Sequence, residues 1–280
     1  MELNYYSPAE IAENYYQIGI KKASLPVAKQ FVLAIMAGFF VGFAAQGYNE
    51  AIHTISSTGI AKTVGGTIFT AGLIMVVVAG GELFTGNCLM VISWVGKRIS
   101  LGSMLRSWAI VYLGNLAGAL FIVFLILNSG QFDFSGGMLG AFTIKTAVYK
   151  TTLSFGKAFC MGILCNTLVC AAIWMSQAAK DIPGKIMGVF FPIWLFVVTG
   201  SEHCIANMYL IPAGILAKLN GSWAAKAVEM GVTAEQMSAL GVKSFLVNNL
   251  LPVTLGNIVG GSVLIGLLYW FVYLTQNKEK

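Results

Sequence analysis

Six long apolar runs, at 27–48, 63–95, 104–127, 158–179, 186–216 and 245–274, dominate the chain and carry few charges. One helical crossing of a bilayer needs about 20 apolar residues. Backbone groups at that depth find no water, so each run must close its hydrogen bonds within itself as helix. The runs therefore predict an all-α polytopic membrane protein with six transmembrane helices. Composition agrees, since only 10% of the 280 residues are charged and mean hydropathy is +0.78, whereas soluble domains carry about 25% charged residues. A disordered chain, a nucleic-acid-binding module and a disulfide-built scaffold are excluded, because each needs a polar majority or dense loop cysteine. Cys88, Cys160, Cys165, Cys170 and Cys204 lie in apolar stretches with no CxxC pair, so they read as small buried hydrophobes and neither metal ligands nor bridges.

The polar segment before the first run shows no cleavable leader. It opens with Ser7-Pro8-Ala9-Glu10, a hydroxyl at N-cap, proline at N1 and a carboxylate at N3, which is a capping box. Ile11, Tyr15 and Ile18 follow on one face, predicting that residues 1–26 form an amphipathic helix lying on the membrane surface. The membrane domain would then be 27–274, with the helix dispensable to it. Six crossings put both termini on one side. Ten of the seventeen Lys and Arg residues fall there (Lys21, Lys22, Lys29, Lys97, Arg98, Arg106, Lys180, Lys185, Lys278 and Lys280), so both termini are expected in the cytoplasm.

Two runs are too long for one straight crossing, and each is interrupted by glycine and an acid: Gly80-Gly81-Glu82 in the second, Gly200-Ser201-Glu202 in the fifth. A mid-membrane carboxylate is expensive unless partnered. Backbone N–H groups freed at a helix break can serve it, so both helices are expected to be interrupted.

The two interruptions belong to an internal repeat. Gly80-x-Glu82-x-x-x-x-Asn87 recurs as Gly200-x-Glu202-x-x-x-x-Asn207, and Leu113-Gly114-Asn115-Leu116-Ala117-Gly118 recurs as Leu255-Gly256-Asn257-Ile258-Val259-Gly260. Ala34, Gly38 and Gly42 match Ala158, Gly162 and Asn166 at a shift of 124. The chain thus reads as two three-span copies, about 27–128 and 155–274. An odd number of spans forces the second copy to insert upside down, the architecture of channels and transporters. Where the copies agree, at Glu82, Glu202, Asn87, Asn207, Asn115 and Asn257, the side chains are expected to hydrogen-bond the broken ends. Where they differ, function is expected: Leu83 answers His203, Gly42 answers Asn166, and Thr85 answers Ile205.

At these residues the chain resembles the formate/nitrite transporter family. Gly81-Glu82-Leu83-Phe84-Thr85-Gly86 is similar to its interrupted second helix, Glu202-His203-Cys204-Ile205-Ala206-Asn207-Met208 to its interrupted fifth, and Asn249-Leu250-Leu251-Pro252-Val253-Thr254-Leu255-Gly256-Asn257-Ile258 to its sixth-span signature. The resemblance implies an aquaporin-like protomer in a homopentamer of the bacterial cytoplasmic membrane, with one pore per protomer. It implies His203 at the pore centre with Thr85 and Asn166 beside it, and Lys150 attracting anions in the extracellular vestibule. Hydrophobic constrictions are implied at Leu73 on the cytoplasmic side and at Leu83, Val169 and Phe196 on the other.

The chemistry fits small anions of weak acids, such as formate, nitrite or hydrosulfide. Carrying an unpaired charge past hydrophobic rings costs many kcal/mol, far more than carrying the neutral acid. A pore that attracts the anion and discharges it needs a cation at the mouth, Lys150 in the stretch between the third and fourth runs. It also needs a group titrating near working pH, and an unperturbed histidine, with a pKa of ~6.5, is one. The expected function is thus a channel for such anions, with a proton-coupled secondary transporter as the alternative. An enzyme is not expected: no GxSG elbow surrounds a membrane serine, and one membrane histidine is not a haem ligand pair. No cofactor is expected, and the partners are small anions, membrane lipid and further copies of the chain.

Overall fold

The computed structural model describes residues 4–275, and within them the chain is helical with no named strand. Lys278 and Lys280 lie outside the described residues. Helix α1 (Pro8–Ser24) starts at Ser7, whose hydroxyl accepts from the Glu10 backbone N–H while its own N–H donates to Glu10 Oε2 at 2.7 Å. Those hydrogen bonds hold the Glu10 carboxyl below its ordinary pKa,. The apolar face of α1 meets protein. Ile11, Ala12, Tyr15, Tyr16 and Gly19 are buried, Tyr15 stacks on Trp174 at 5.3 Å, and Ser93 Oγ donates to the Tyr15 carbonyl at 2.7 Å. The expectation of a helix lying on lipid is corrected accordingly: its face is covered by the bundle.

Helices α2 (Val27–Ile52) and α3 (Thr58–Met75) follow, the latter extended by a wide turn to Gly80. After a break come the short α4 (Phe84–Asn87) and α5 (Val91–Val95), then α6 (Leu101–Asn128), α7 (Phe134–Thr151) and α8 (Phe155–Ala178). Helix α9 (Ile182–Val198) breaks before α10 (Cys204–Ala217); α11 (Gly221–Glu229) and α12 (Ala234–Ala239) are short. A last run, Ser244–Leu274, contains α13 (Leu251–Ile258) and α14 (Leu268–Leu274). Five of these stretches are long and apolar enough to cross a membrane: Val27–Ile52, Thr58–Gly80, Leu101–Asn128, Phe155–Ala178 and Ser244–Leu274. The fifth apolar run is instead two helices of 17 and 14 residues. Both breaks turn on a glycine in the left-handed region, Gly80 at φ +96° and Gly200 at φ +73°, a conformation that a side chain disfavours.

Close helix crossings fix how the halves correspond. A Cβ on Gly114 would stand 3.0 Å from the Phe31 carbonyl, and one on Gly118 2.2 Å from that of Ile35. In the second half Gly256 meets the Phe159 carbonyl at 2.2 Å and Gly260 that of Ile163 at 2.3 Å. Backbones in contact at small residues are a strong packing device in membranes. Phe31 to Phe159 and Ile35 to Ile163 are both shifts of 128. The shift of 124 is therefore one helical turn out, because a stripe of small residues every fourth position matches itself after a turn. Asn166 answers Gly38 and not Gly42.

The same shift of 128 pairs α1 with α7. The stretch between the third and fourth apolar runs, expected as loop, is this helix, which follows a left-handed kink at Ser135, Gly136 and Gly137, and Lys150 sits in its last turn. Starting the copies at 27 and 155 leaves α1 and α7 out of both. Cys88, Cys165, Cys170 and Cys204 are buried, but Cys160 is exposed on α8. Apolar sequence context does not separate the core from a lipid-facing surface, so the reading of Cys160 as buried is corrected.

Candidate functional site: a pore closed between two cavities

Each break presents a buried carboxylate held in matching ways. Lys22 Nζ lies 2.7 Å from Glu82 Oε1, and Asn87 Nδ2 donates to Glu82 Oε2 at 2.7 Å. Lys150 Nζ lies 2.7 Å from Glu202 Oε1, and Asn207 Nδ2 donates to Glu202 Oε2 at 2.7 Å. The free helix ends are tied by asparagines on α6 and α13. Asn115 Oδ1 accepts the Phe84 N–H at 3.0 Å while its amide donates to the Ala34 and Glu82 carbonyls. Asn257 Oδ1 accepts the Cys204 N–H at 2.9 Å while its amide donates to the Gly162 and Glu202 carbonyls. At each break one free N–H and one free C=O are thereby satisfied by an asparagine side chain,.

Three side chains in these clusters have no role at the breaks in the sequence reading, although Lys22 and Asn249 are named in it. Lys22 was missed because the repeat was begun after α1; its separation of 128 from Lys150 is the signal that finds it. Asn249 donates to the Lys150 carbonyl at 2.9 Å and to Glu202 Oε2 at 3.1 Å. Gln30 donates to the Lys22 carbonyl at 3.1 Å and to Ser107 Oγ at 2.8 Å. Glu202, at 1% exposure, thus has one more amide partner than Glu82 at 7%.

His203 stands as the N-cap of α10. Its Nδ1 accepts the Ala206 N–H at 3.0 Å, and Nε2 lies 3.0 Å from Thr85 Oγ1. An Nδ1 that accepts leaves the ring proton on Nε2, so neutral His203 is a donor toward Thr85. A second proton would have to enter at Nδ1, directly against the Ala206 N–H. Asn166 does not join this pair. Its amide donates to the Thr85 carbonyl at 3.2 Å and the Asn257 carbonyl at 2.7 Å, so it holds the backbone behind Thr85 and is not free to dress an anion.

A chamber of about 10 Å³ collects Val41, Phe69, Leu73, Leu83, Val169, Ile193, Phe196 and His203. That volume is at the limit for one water molecule, so an ion passing here must shed its shell. Phe69 and Phe196 meet edge to face at 5.6 Å across it. On one side lies a cavity of about 400 Å³ lined by α1 residues Tyr15, Ile18, Lys21 and Lys22 together with Glu82 and Leu83. On the other lies one of about 340 Å³ lined by Lys62, Lys145, Lys150, Phe196, Glu202 and His203. Leu83 therefore borders the α1 cavity and Phe196 the α7 cavity, which corrects their placement on one common side. The reason is local: Leu83 follows Glu82 in the first break, and that break opens toward α1.

Residues 9–271 match the family model described as Formate/nitrite transporter. The chain is 40% identical to the formate channel FocA of Escherichia coli (strain K12) over 277 residues, covering 97% of this chain and 96% of that one. Among solved structures, a pentameric formate channel with formate bound superposes with a TM-score of 0.77 at 39% identity, covering 89% of this chain and 98% of its own. An FNT family ion channel gives 0.78 at 27% identity, covering 94% and 98%.

Proposed function

The chain belongs to the formate/nitrite transporter family and is a multi-pass membrane channel for small monovalent anions, and on that premise we propose how its own residues divide the work. The single observation that carries the reading is the closed apolar chamber with His203 at its wall, set between two cavities that each hold a lysine paired with a carboxylate. Anions gather in either cavity, lose water at the ring of Leu73, Leu83, Val169 and Phe196, and meet the Nε2–H of His203, which Thr85 Oγ1 otherwise takes. Proton linkage enters through Nδ1, because charging the ring releases the Ala206 N–H and loosens the first turn of α10. Counting each broken helix as one crossing gives six, with the second copy inverted and the α1 cavity facing the cytoplasm. Both termini then lie in the cytoplasm of a bacterium, at its plasma membrane. Formate is the substrate and a homopentamer the assembly best supported, since the relatives at 40% and 39% identity carry those descriptions.

Flux into proteoliposomes, compared among formate, nitrite, hydrosulfide, acetate and chloride, tests the reading. Formate, nitrite and hydrosulfide are expected to enter faster as pH falls, with chloride excluded because it has no neutral acid form near neutral pH. Chloride entry as fast as formate would overturn it.

Helix α1 is proposed as a working part of the pore, in place of the dispensable surface helix expected from its sequence. Deleting residues 1–22 strips Lys22 from Glu82 and one wall from the cavity. The expected outcome is a loss of at least several-fold in formate flux together with a lower unfolding temperature, because Glu82 loses its cation and the face that α1 covers loses its packing,. Full flux and unchanged melting in the truncated protein would return α1 to the periphery.

A further inference from the structure

Lys150, the cation expected to attract anions, is not a free charge. Its ammonium is tied to Glu202 at 2.7 Å with its side chain at 12% exposure, and a paired buried charge projects little net field into the cavity beside it. The formal balance of that cavity is nonetheless positive. Lys62, Lys145 and Lys150 line it against Glu202 as the one acid, leaving two positive charges. Of the two remaining lysines, Lys145 is exposed on α7 and donates to the Met230 carbonyl at 2.9 Å, at the rim.

Lys62 is placed differently. It lies in the second turn of α3, half-buried, and the ion pairs among the described residues are Lys22 with Glu82 and Lys150 with Glu202, so it has no acidic partner. Its Nζ would lie 3.4 Å from a Cβ placed on Gly200. It therefore hangs over the second break at its left-handed glycine, three residues before His203. Helix α3 is anchored there on α9, with the Trp194 indole N–H donating to the Thr63 carbonyl at 3.1 Å next to Lys62. An unneutralised ammonium, held by packed backbone inside a concave apolar wall, concentrates field lines on the route to the chamber.

We propose that Lys62 is the residue that recruits anions at this mouth, and that Lys150 is a positioning residue for Glu202. The inference deepens the channel reading and concerns which cation supplies the entry field. A monovalent carboxylate or oxyanion that enters the α7 cavity past the rim meets Lys62 and is passed over Gly200 toward His203. Lys150 keeps the break closed by neutralising the carboxylate beneath it.

The test is formate uptake by proteoliposomes at about 10 mM and about 1 M ionic strength, where the screening length changes from about 30 Å to about 3 Å. Lys62→Gln is expected to slow uptake about threefold to tenfold at low salt and to match the unsubstituted protein at high salt. Lys62→Glu should be slower still at low salt, and Lys62→Arg should be indistinguishable from lysine. Equal uptake by Lys62→Gln at low salt overturns the proposal, as does a deficit that salt leaves untouched. Loss of assembly in Lys62→Gln, read by size-exclusion chromatography, also overturns it by placing Lys62 in the packing. Absence of formate uptake by the unsubstituted protein would instead strike the channel reading itself, so the two failures are distinguishable.

Discussion

Replacing Lys150 with glutamine is expected to destabilise the folded chain by about 3–5 kcal/mol, read as a fall in the unfolding temperature of the detergent-solubilised protein. The substitution leaves the Glu202 carboxyl without its cation at 1% exposure, with only the Asn207 and Asn249 amides as partners. Amide hydrogen bonds do not neutralise a charge, and at 1% exposure Glu202 gains little compensation from the cavity it borders. The double substitution Lys150→Gln with Glu202→Gln should recover most of the loss, because it removes both charges and leaves an amide able to donate and accept. Lys22→Gln is expected to cost less than Lys150→Gln, since that pair is wetter, at 23% and 9% side-chain exposure against 12% and 2%, and water compensates part of what is lost. A double variant no more stable than Lys150→Gln alone would show that the pair is not what holds the second break.

His203→Asn should yield a stable protein whose formate flux differs from that of the unsubstituted protein in its dependence on pH, because the proton linkage at the ring is lost. Asparagine is a strong N-cap residue, so the Ala206 N–H keeps an acceptor and α10 keeps its first turn. What disappears is the titratable ring and the Nε2–H facing Thr85 Oγ1. His203→Leu provides the contrast. Leucine is what stands at the matching place in the first break, at Leu83, where no side-chain cap is made. That variant should lose the cap at a cost of about 0.5–2 kcal/mol as well as the pH response. Flux and thermal unfolding measured on the same preparations separate the two roles. An asparagine variant with unaltered pH dependence would remove His203 from proton linkage and leave it as a cap.

Much of the site is legible in the sequence, because the physics that fixes it is local. Run length and charge content require helices that span, and an acid beside glycine in such a run requires a break where backbone groups can meet it. Asn87, Asn115, Asn207 and Asn257 stand out by recurring beside those breaks, and His203 by being the one titratable difference between them. Three things were decided only by the tertiary structure. Small-residue stripes repeat every fourth position and so match at 124 as well as at 128; Lys22 with Lys150, Phe31 with Phe159 and Ile35 with Ile163 favour 128, and the carbonyls touched by Gly118 and Gly260 decide it. An amphipathic face reads the same whether lipid or protein will cover it, so the burial of Ile11 and Tyr15 of α1 against the bundle had to be seen. A lysine in a sequence carries a charge but not a partner. The pairing of Lys22 and Lys150 with carboxylates 60 and 52 residues away exists only once distant helices are brought together, which is why Lys150 reads as a free attractor in the sequence and is an ion-pair partner in the fold.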